Sequence, residues 1–471
     1  MLNALVVTAL LLSRLDSPVT DRAEALSKEV LKLGNDPRAA APLIRLHSLI
    51  DALDALNSLA EPYTSLIYRR NTDPHVRMLA RLFMADVERA RGRTQKAQEL
   101  INELGFIQDF HVVGAFDNEG KAGCDTDFGP ESATDLRATY PAKARDVGWR
   151  KPHAKTVDGF VDLSLALKPS TEAVAYALTW LSSDVETKAV LSLGVSGGAR
   201  LFVNGQKVLT SDRYNLPRVD QHHVQVNLRK GLNRVLIKVC QLSGPFGFYA
   251  RVEKVEGQKG TITVALPEVV PPLEKGAAPQ PQVLPTLTDT LAAKVKAAPA
   301  DAALRSDYAT ILAWTRSYPD AENAPEMEAE RAALNALTDV ELQLTAANLH
   351  TSDGNDRRRF LEAALTLDPK HAFARLALGQ HELFREHPEL ALRHAQMLLV
   401  AFPNFGPAWV LKIRALENLG QKTEAWRTTE EAFRALHLVP AIAREAVGAS
   451  RRAERSREAV ERARHVLALR F

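Results

Sequence analysis

Cysteine is scarce: there are two in 471 residues. That excludes a disulfide scaffold and any four-cysteine zinc site. An excess of either charge is missing too, with 60 Lys and Arg against 57 Asp and Glu and a formal net charge of +3. A nucleic-acid binder concentrates basic residues on one face, so nucleic acid is excluded as the main partner. Long apolar runs are also missing. The N-terminal run Met1–Ser13 is too short to span a bilayer, and no other approaches about 18 residues. No stable membrane span is expected. Two readings of the N-terminal run stand. It has the length of a signal-peptide core, which puts the protein in the periplasm or outside the cell. Against this, no Lys or Arg precedes it and no A-x-A motif follows. Alternatively it begins a first amphipathic helix, and the protein is cytoplasmic.

What is present is an ordinary globular composition, 46% apolar and 25% charged, in a chain long enough for about three domains. From Val19 to Leu104, Ala, Leu, Arg and Glu dominate and apolar residues recur at helical spacing. The clearest unit is a helix pair over His75–Leu104. Met78, Leu79, Leu82 and Phe83 line one helix, Arg91–Arg93 is the turn, and Ala97, Leu100, Ile101 and Leu104 line the other. Pro62 is expected to break an earlier helix.

The character changes at Gly105. Strand-like runs follow at Gly159–Leu167, Glu172–Leu181, Thr187–Leu193, His223–Leu228, Asn233–Val239 and Phe246–Val252. Their spacing marks an all-β sandwich or barrel. At its centre Leu201–Val203 and Lys207–Leu209 flank Asn204-Gly205, the dipeptide of a type I′ turn. Val235, Ile237 and Val239 alternate with Arg234, Leu236 and Lys238, so one face is expected to pack on an opposite sheet.

The runs Leu201–Val208, Val224–Leu228, Lys230–Val239 and Gly244–Arg251 together resemble galactose-binding-like jelly rolls over about a hundred residues. Such domains include the sugar-binding domain of family-two glycoside hydrolases and the lectin-like domain first seen in anthrax protective antigen. The lead-in, Gly105–Glu119 and Gly123–Glu131, resembles the approach to the sandwich in large bacterial envelope proteins. In lectin-like relatives two adjacent acids help hold calcium. Ser182-Ser183-Asp184 offers one, so no metal is expected.

Prolines 267, 271, 272, 279, 281 and 285 make residues 257–288 a semi-rigid linker, after a last strand at Thr261–Ala265. Beyond it a repeat emerges. Asp368-Pro369, Phe402-Pro403 and Leu436-His437 are spaced by 34, and Gly379 and Ala391 stand twelve apart. With Trp409, Gly420 and Ala425 in the next copy, the pattern resembles tetratricopeptide repeats, stacked helix pairs with small residues at the crossing. Asp301–Tyr318 reads as a poorer copy and Ala321–Met327 as an insertion. The last helix ends on apolar Val466, Leu467, Leu469 and Phe471, so either this face packs on something else or the chain continues.

The fold class expected is therefore multidomain α and β, with tetratricopeptide-like helical repeats flanking an antiparallel β-sandwich of jelly-roll type. The segments are 1–18 (candidate signal), 19–104 (helical repeats), 105–256 (sandwich), 257–288 (linker) and 289–471 (helical repeats).

No catalytic constellation emerges. Gly194–Gly198 matches G-x-S-x-G, but a strand follows where a nucleophile elbow needs a helix, so it reads as a Gly-rich hairpin turn. His381-Glu382 lacks the second histidine at i+4 that a zinc helix needs. His222 and His223, adjacent on a strand, point to opposite faces. The arginines from Arg451 to Arg464 interleave with Glu454, Glu458 and Glu461 as a solvent face. Cys124 and Cys240 either bridge in an exported protein, closing a loop worth up to ~4–5 kcal/mol, or stay unpaired.

The expectation is a non-catalytic protein-interaction scaffold of the cell envelope, without cofactor, binding protein or peptide segments. By the repeat's pattern His350, Gln380, Phe384, Arg414, Glu417 and Asn418 face the groove, and Arg414 and Asn418 suit a peptide backbone or carboxylate. A second reading is a carbohydrate-binding module, with Arg213, Tyr214 and Asn215 in the loop beyond the central hairpin holding glycan. A third comes from resemblance: such combinations precede transglutaminase-like Cys-His-Asp domains, none of which is recognisable in these residues.

Overall fold

Asn204 and Gly205 take φ of 51° and 79°. These are the left-handed values of a two-residue type I′ turn. The strands on either side pair with Val203 opposite Gln206 and Phe202 opposite Lys207, as the turn requires, and a bulge then brings Leu201 opposite Leu209. The computed structural model describes residues 17–53, 56–132, 135–152, 156, 158–267, 269–271, 280–315, 339–349 and 354–468. They form two units. A β unit holds Ile101–Thr290 with Thr315, and a helical unit holds the described residues through Leu100, Leu291–Trp314 and those from residue 339 on.

In chain order the strands are β1 (His111–Asp117), β2 (Thr139–Tyr140), β3 (Val147–Gly148), β4 (Phe160–Asp162), β5 (Ala173–Ser183), β6 (Thr187–Val195), β7 (Gly197–Val203), β8 (Gln206–Asn215), β9 (His222–Leu228), β10 (Gly231–Gln241), β11 (Gly247–Lys254), β12 (Ile262–Ala265) and β13 (Gln282–Leu284). Among the described residues, the larger sheet has the order β1-β5-β10-β7-β8, with β12 also on β5. The smaller has the order β13-β9-β6-β11-β4, and β2 pairs with β3 alone. Both large sheets are antiparallel, and their facing sides share one hydrophobic cluster. Ala175, Ala177, Leu201, Val203, Val235 and Ile237 come from one sheet, and Leu191, Leu193, Val224, Val226 and Phe248 from the other.

On β10 the apolar face packs as expected, and the opposite face is buried as well. The alternation on β10 marks Val235, Ile237 and Val239 as one apolar face, and they lie in that shared cluster, with Arg234 and Lys238 on the other face. The latter two are 4% and 1% exposed. The cause is a second cluster on the outer face of the larger sheet. There the lead-in lays Phe116, Phe128, Tyr140 and Trp149 over Tyr176, Trp180, Phe202 and Leu236. A disulfide between Cys124 and Cys240 fastens that lead-in to β10. One expectation is corrected: Gly194–Gly198 is not a hairpin. β6 and β7 belong to different sheets, so the segment is a corner between them. Ser196 is buried at that corner, its hydroxyl donating to the Gly247 carbonyl at 2.9 Å and accepting from the Gly247 amide at 3.0 Å. Within the proline-rich segment, β13 adds an edge strand to β9, flanked by Pro281 and Pro285 where the missing N–H groups cost least.

The helices are α1 (Pro18–Leu33), α2 (Ala40–His47), α3 (Asn57–Tyr68), α4 (Pro74–Ala90), α5 (Thr94–Asn102), α6 (Leu287–Ala297), α7 (Ala302–Thr315), α8 (Val340–Leu349), α9 (Gly354–Leu367), α10 (Ala372–Phe384), α11 (Pro388–Ala401), α12 (Gly406–Asn418), α13 (Lys422–Leu436), α14 (Pro440–Arg452) and α15 (Ser456–Ala468). Pro62 lies inside α3 rather than ending it. Asp73 caps α4 by accepting from the amides of His75 and Val76. The last three helix pairs begin at Ala372, Gly406 and Pro440, one 34-residue period apart. Gly379 sits at a helix crossing. A Cβ there would stand 2.6 Å from Leu411 Cδ2 and 3.0 Å from His394 Cβ, so the position demands the smallest residue. Ion pairs join the segments that the β unit separates in sequence: Arg38 to Asp307 at 2.9 Å, Lys294 to Asp36 at 3.1 Å and Arg444 to Asp51 at 2.8 Å. The candidate insertion Ala321–Met327 lies outside the described residues. Among the described residues no helix is long and apolar enough to cross a membrane.

Candidate functional site

Arg22 leaves the first turns of α1 and grips Glu341, in the first turn of α8, with both terminal nitrogens at 2.7 Å. Its guanidinium also lies 4.6 Å from the ring centre of Phe373 on α10. A planar fork suits both tasks at once. Burial pushes the Glu341 carboxyl up, and Arg22 more than reverses this, leaving it below its usual range. On α2, Arg45 donates to the Thr310 hydroxyl at 2.6 Å and to the Ser306 hydroxyl at 2.8 Å on α7. Beside it, burial pushes the Asp307 carboxyl up to about 6, against the pull of Arg45 and Arg38.

These two arginines hold α1 and α2 against α7, α8 and α10 around a pocket of about 420 Å³. Leu49, Trp314, Leu344 and Phe373 give it apolar walls, and Asn348 and Gln380 offer amides. Ser48 and Leu49 line the pocket, and two residues on the chain reaches α14. There the Asp51 carbonyl accepts from the Ala441 amide at 3.1 Å, and its carboxylate meets Arg444 at 2.8 Å. Ala441 is in the first turn of α14, where amides have no partner within the helix.

Of the groove positions expected from the repeat, Gln380 lines this pocket. His350 lies outside the described residues. Phe384, at the end of α10, is 77% exposed. Arg414 pairs with Glu445 on α14 at 3.1 Å, and Glu417 with Arg452 at 2.8 Å. Arg452 also reaches Glu445, so the four form a ladder between α12 and α14. The Asn418 side-chain amide donates to the Arg414 carbonyl. Arg22, Arg45, Trp314 and Phe373 were not singled out from sequence. Their partners lie far along the chain, Arg22 and Glu341 being 319 residues apart.

In the β unit the residues expected to hold glycan are not brought together. Arg213, Tyr214 and Asn215 end strand β8 instead of forming a loop. Neighbours on a strand point to opposite faces. Arg213 lines a cleft of about 370 Å³ beside His222. Tyr214 turns to the lead-in, accepting from the Asn118 side-chain amide at 3.4 Å and lying under Lys121. The Asn215 side chain is outside the described set. Among the described residues no cluster of His, Cys, Asp and Glu is placed to hold a metal ion.

No protein-family model matches the chain, and no curated protein matches it. Among solved structures it is similar to a MamA double mutant (MamA RS-1 ArsTM), at 17% identity over 36% of this chain and 93% of that one, with a TM-score of 0.29. It is similar to YrrB, described as a TPR protein with an unusual peptide-binding site, at 16% identity over 39% of this chain and 93% of that one, TM-score 0.29. A third, MamA MSR-1 C2, is 17% identical over 36% of this chain and 95% of that one, TM-score 0.27.

Proposed function

We propose that the chain is a non-catalytic protein-interaction scaffold of the cell envelope, and that its helical unit receives extended peptide segments carrying an acidic side chain. The observation that carries this reading is the path of Ser48–Asp51. This stretch of the chain's own backbone lines the pocket and then docks on α14 through one carbonyl–amide bond and one carboxylate–guanidinium pair. A partner's peptide makes the same two contacts. The Asp51–Arg444 pair is partly solvent-exposed, at 65% and 39% of the two side chains, so it contributes little and is readily exchanged. Two elements of the reading concern the rest of the chain. The β unit is taken as a jelly roll of the galactose-binding-like class, supported by its two sheets around one core and by the Asn204-Gly205 hairpin. Residence in the envelope is supported by the Cys124–Cys240 disulfide, since such bonds persist in oxidising compartments.

The test is an array of acidic and neutral peptides probed with the full chain. Acidic peptides are expected to bind, and Arg444→Glu and Arg414→Glu each to weaken them about tenfold. Asp51→Ala, which vacates the seat on α14, is expected to tighten them. An array that shows no preference for acid, or binding indifferent to Arg444→Glu, overturns the reading.

A further inference from the structure

The cleft of the β unit opens where β8, an edge strand of the larger sheet, stands beside β9 and β13 of the smaller one. Most of its polar groups are committed. Asp212 is held by Arg200 at 2.7 Å. Asp289 accepts from the Thr286 amide at 2.9 Å and the Thr286 hydroxyl at 2.8 Å. Gln221 accepts from the Val195 amide at 2.9 Å and donates to the Leu216 carbonyl at 2.8 Å. His223 shares a 2.8 Å hydrogen bond with the Ser192 hydroxyl.

Among those that remain, three stand together as a candidate site. The Arg213 side chain is exposed and enters no ion pair among the described residues. Ser211 is 6% exposed, and its hydroxyl has no partner among the described residues. His222, half-buried, is neutral at pH 7, because burial first and the nearby Arg213 and His223 second push it down to about 4. A buried hydroxyl without a partner is costly, and it signals a group that something else completes. Val208, Leu209, Val283 and Leu284 supply apolar surface in the same cleft.

We infer that this cleft binds a small organic monocarboxylate that also carries a hydroxyl group. The carboxylate sits on Arg213, the only cation lining the cleft among the described residues, and one guanidinium matches one negative charge. A dianion such as phosphate brings a second charge toward Asp212 and Asp289 without a cation to meet it. The ligand's hydroxyl completes Ser211 and His222, and its carbon skeleton covers the valines and leucines. The volume suits a ligand of monosaccharide size or smaller.

The test is calorimetric titration of the full chain with hydroxy-monocarboxylates from lactate through 3-hydroxybutyrate to glucuronate, with glucose and inorganic phosphate as uncharged and dianionic comparators. At least one carboxylate is expected to bind saturably, while glucose and phosphate do not. Arg213→Ala is expected to weaken that binding at least about tenfold. Ser211→Ala is expected to weaken it too, while leaving Tm unchanged or higher, an outcome that a purely structural hydroxyl does not produce. Failure of the whole series up to about 10 mM overturns the inference, as does equal binding of glucose or phosphate, or carboxylate binding unaffected by Arg213→Ala.

Discussion

Lys238, 1% exposed on the outer face of the larger sheet, donates to the Glu131 carboxylate at 2.8 Å. It donates also to the Thr126 carbonyl at 2.6 Å, and its ammonium lies 5.4 Å from the ring centre of Tyr176. Burial pushes the ammonium below its usual value and Glu131 pulls it back. Directly across the ladder stands Arg200, a second buried cation, itself neutralised by Asp125 and Asp212. Like charges opposite each other on a sheet repel. The lead-in is therefore a counter-charge as well as a cover. Removing one partner of a buried pair leaves the other charge stranded. Glu131→Ala is expected to cost about 3 kcal/mol in urea unfolding, and Glu131→Leu with Lys238→Met to restore most of it.

The lead-in is also held covalently. Cys124 and Cys240 are separated by 116 residues, and closing so long a loop stabilises by about 5 kcal/mol in the chain-entropy model. The Cys124→Ser, Cys240→Ser double variant is expected to lose stability on that scale. In the native protein, thiol titration should find no reactive cysteine, and after reduction under denaturing conditions it should find both. A thiol reactive without reductant contradicts the bond.

How far the fold could be read in advance depends on the reach of each signal. The Asn204-Gly205 hairpin was legible because turn chemistry is local: two residues that tolerate positive φ stand between two apolar runs. The 34-residue period was legible for the same reason, each helix pair repeating the one before it. The alternation on β10 was read for its inner face, and its outer face was left unread. Period two reports which residues share a side, and it says nothing about a lead-in arriving from a hundred residues upstream. Arg213 and Tyr214 were grouped because they are adjacent, and a strand then sent them to opposite faces. The pocket around Arg22 was invisible, since nothing local distinguishes an arginine that will meet a glutamate 319 residues away from one that meets water.

His222 gives the β unit an acid limb. Its folded pKa of about 4 lies below the unfolded value near 6.5, so the unfolded chain binds the proton more readily. The neutral form's contribution is fully present above about pH 6.5 and is lost as pH falls from there toward about 4, up to about 3 kcal/mol. Hydrogen exchange of β9 peptides should show protection falling across that window. His222→Gln, which cannot titrate, should flatten the fall. A variant that keeps the same pH dependence assigns the effect to another group.

In the helical unit the informative residue is Arg22, because one guanidinium does two separable things. It makes a bidentate pair with Glu341 and stacks on Phe373. Lysine keeps the charge but cannot reproduce the fork, so Arg22→Lys should lose most of what Arg22→Ala loses, about 2 kcal/mol. Phe373→Leu keeps the ion pair and gives up the ring, and should cost less in the cation–π part, about 0.5–1 kcal/mol beyond the change in packing. The Glu341 carboxyl is held below its usual range, so the pair's contribution is present above the unfolded pKa near 4.3 and is lost as pH falls through the lower folded value. Arg22→Ala should therefore remove this acid dependence along with the stability. Exchange rates of α8 amides, measured at neutral and at acid pH in the three variants, separate the contributions. If Arg22→Lys matches the native protein at both, the fork is not what holds α1 to α8.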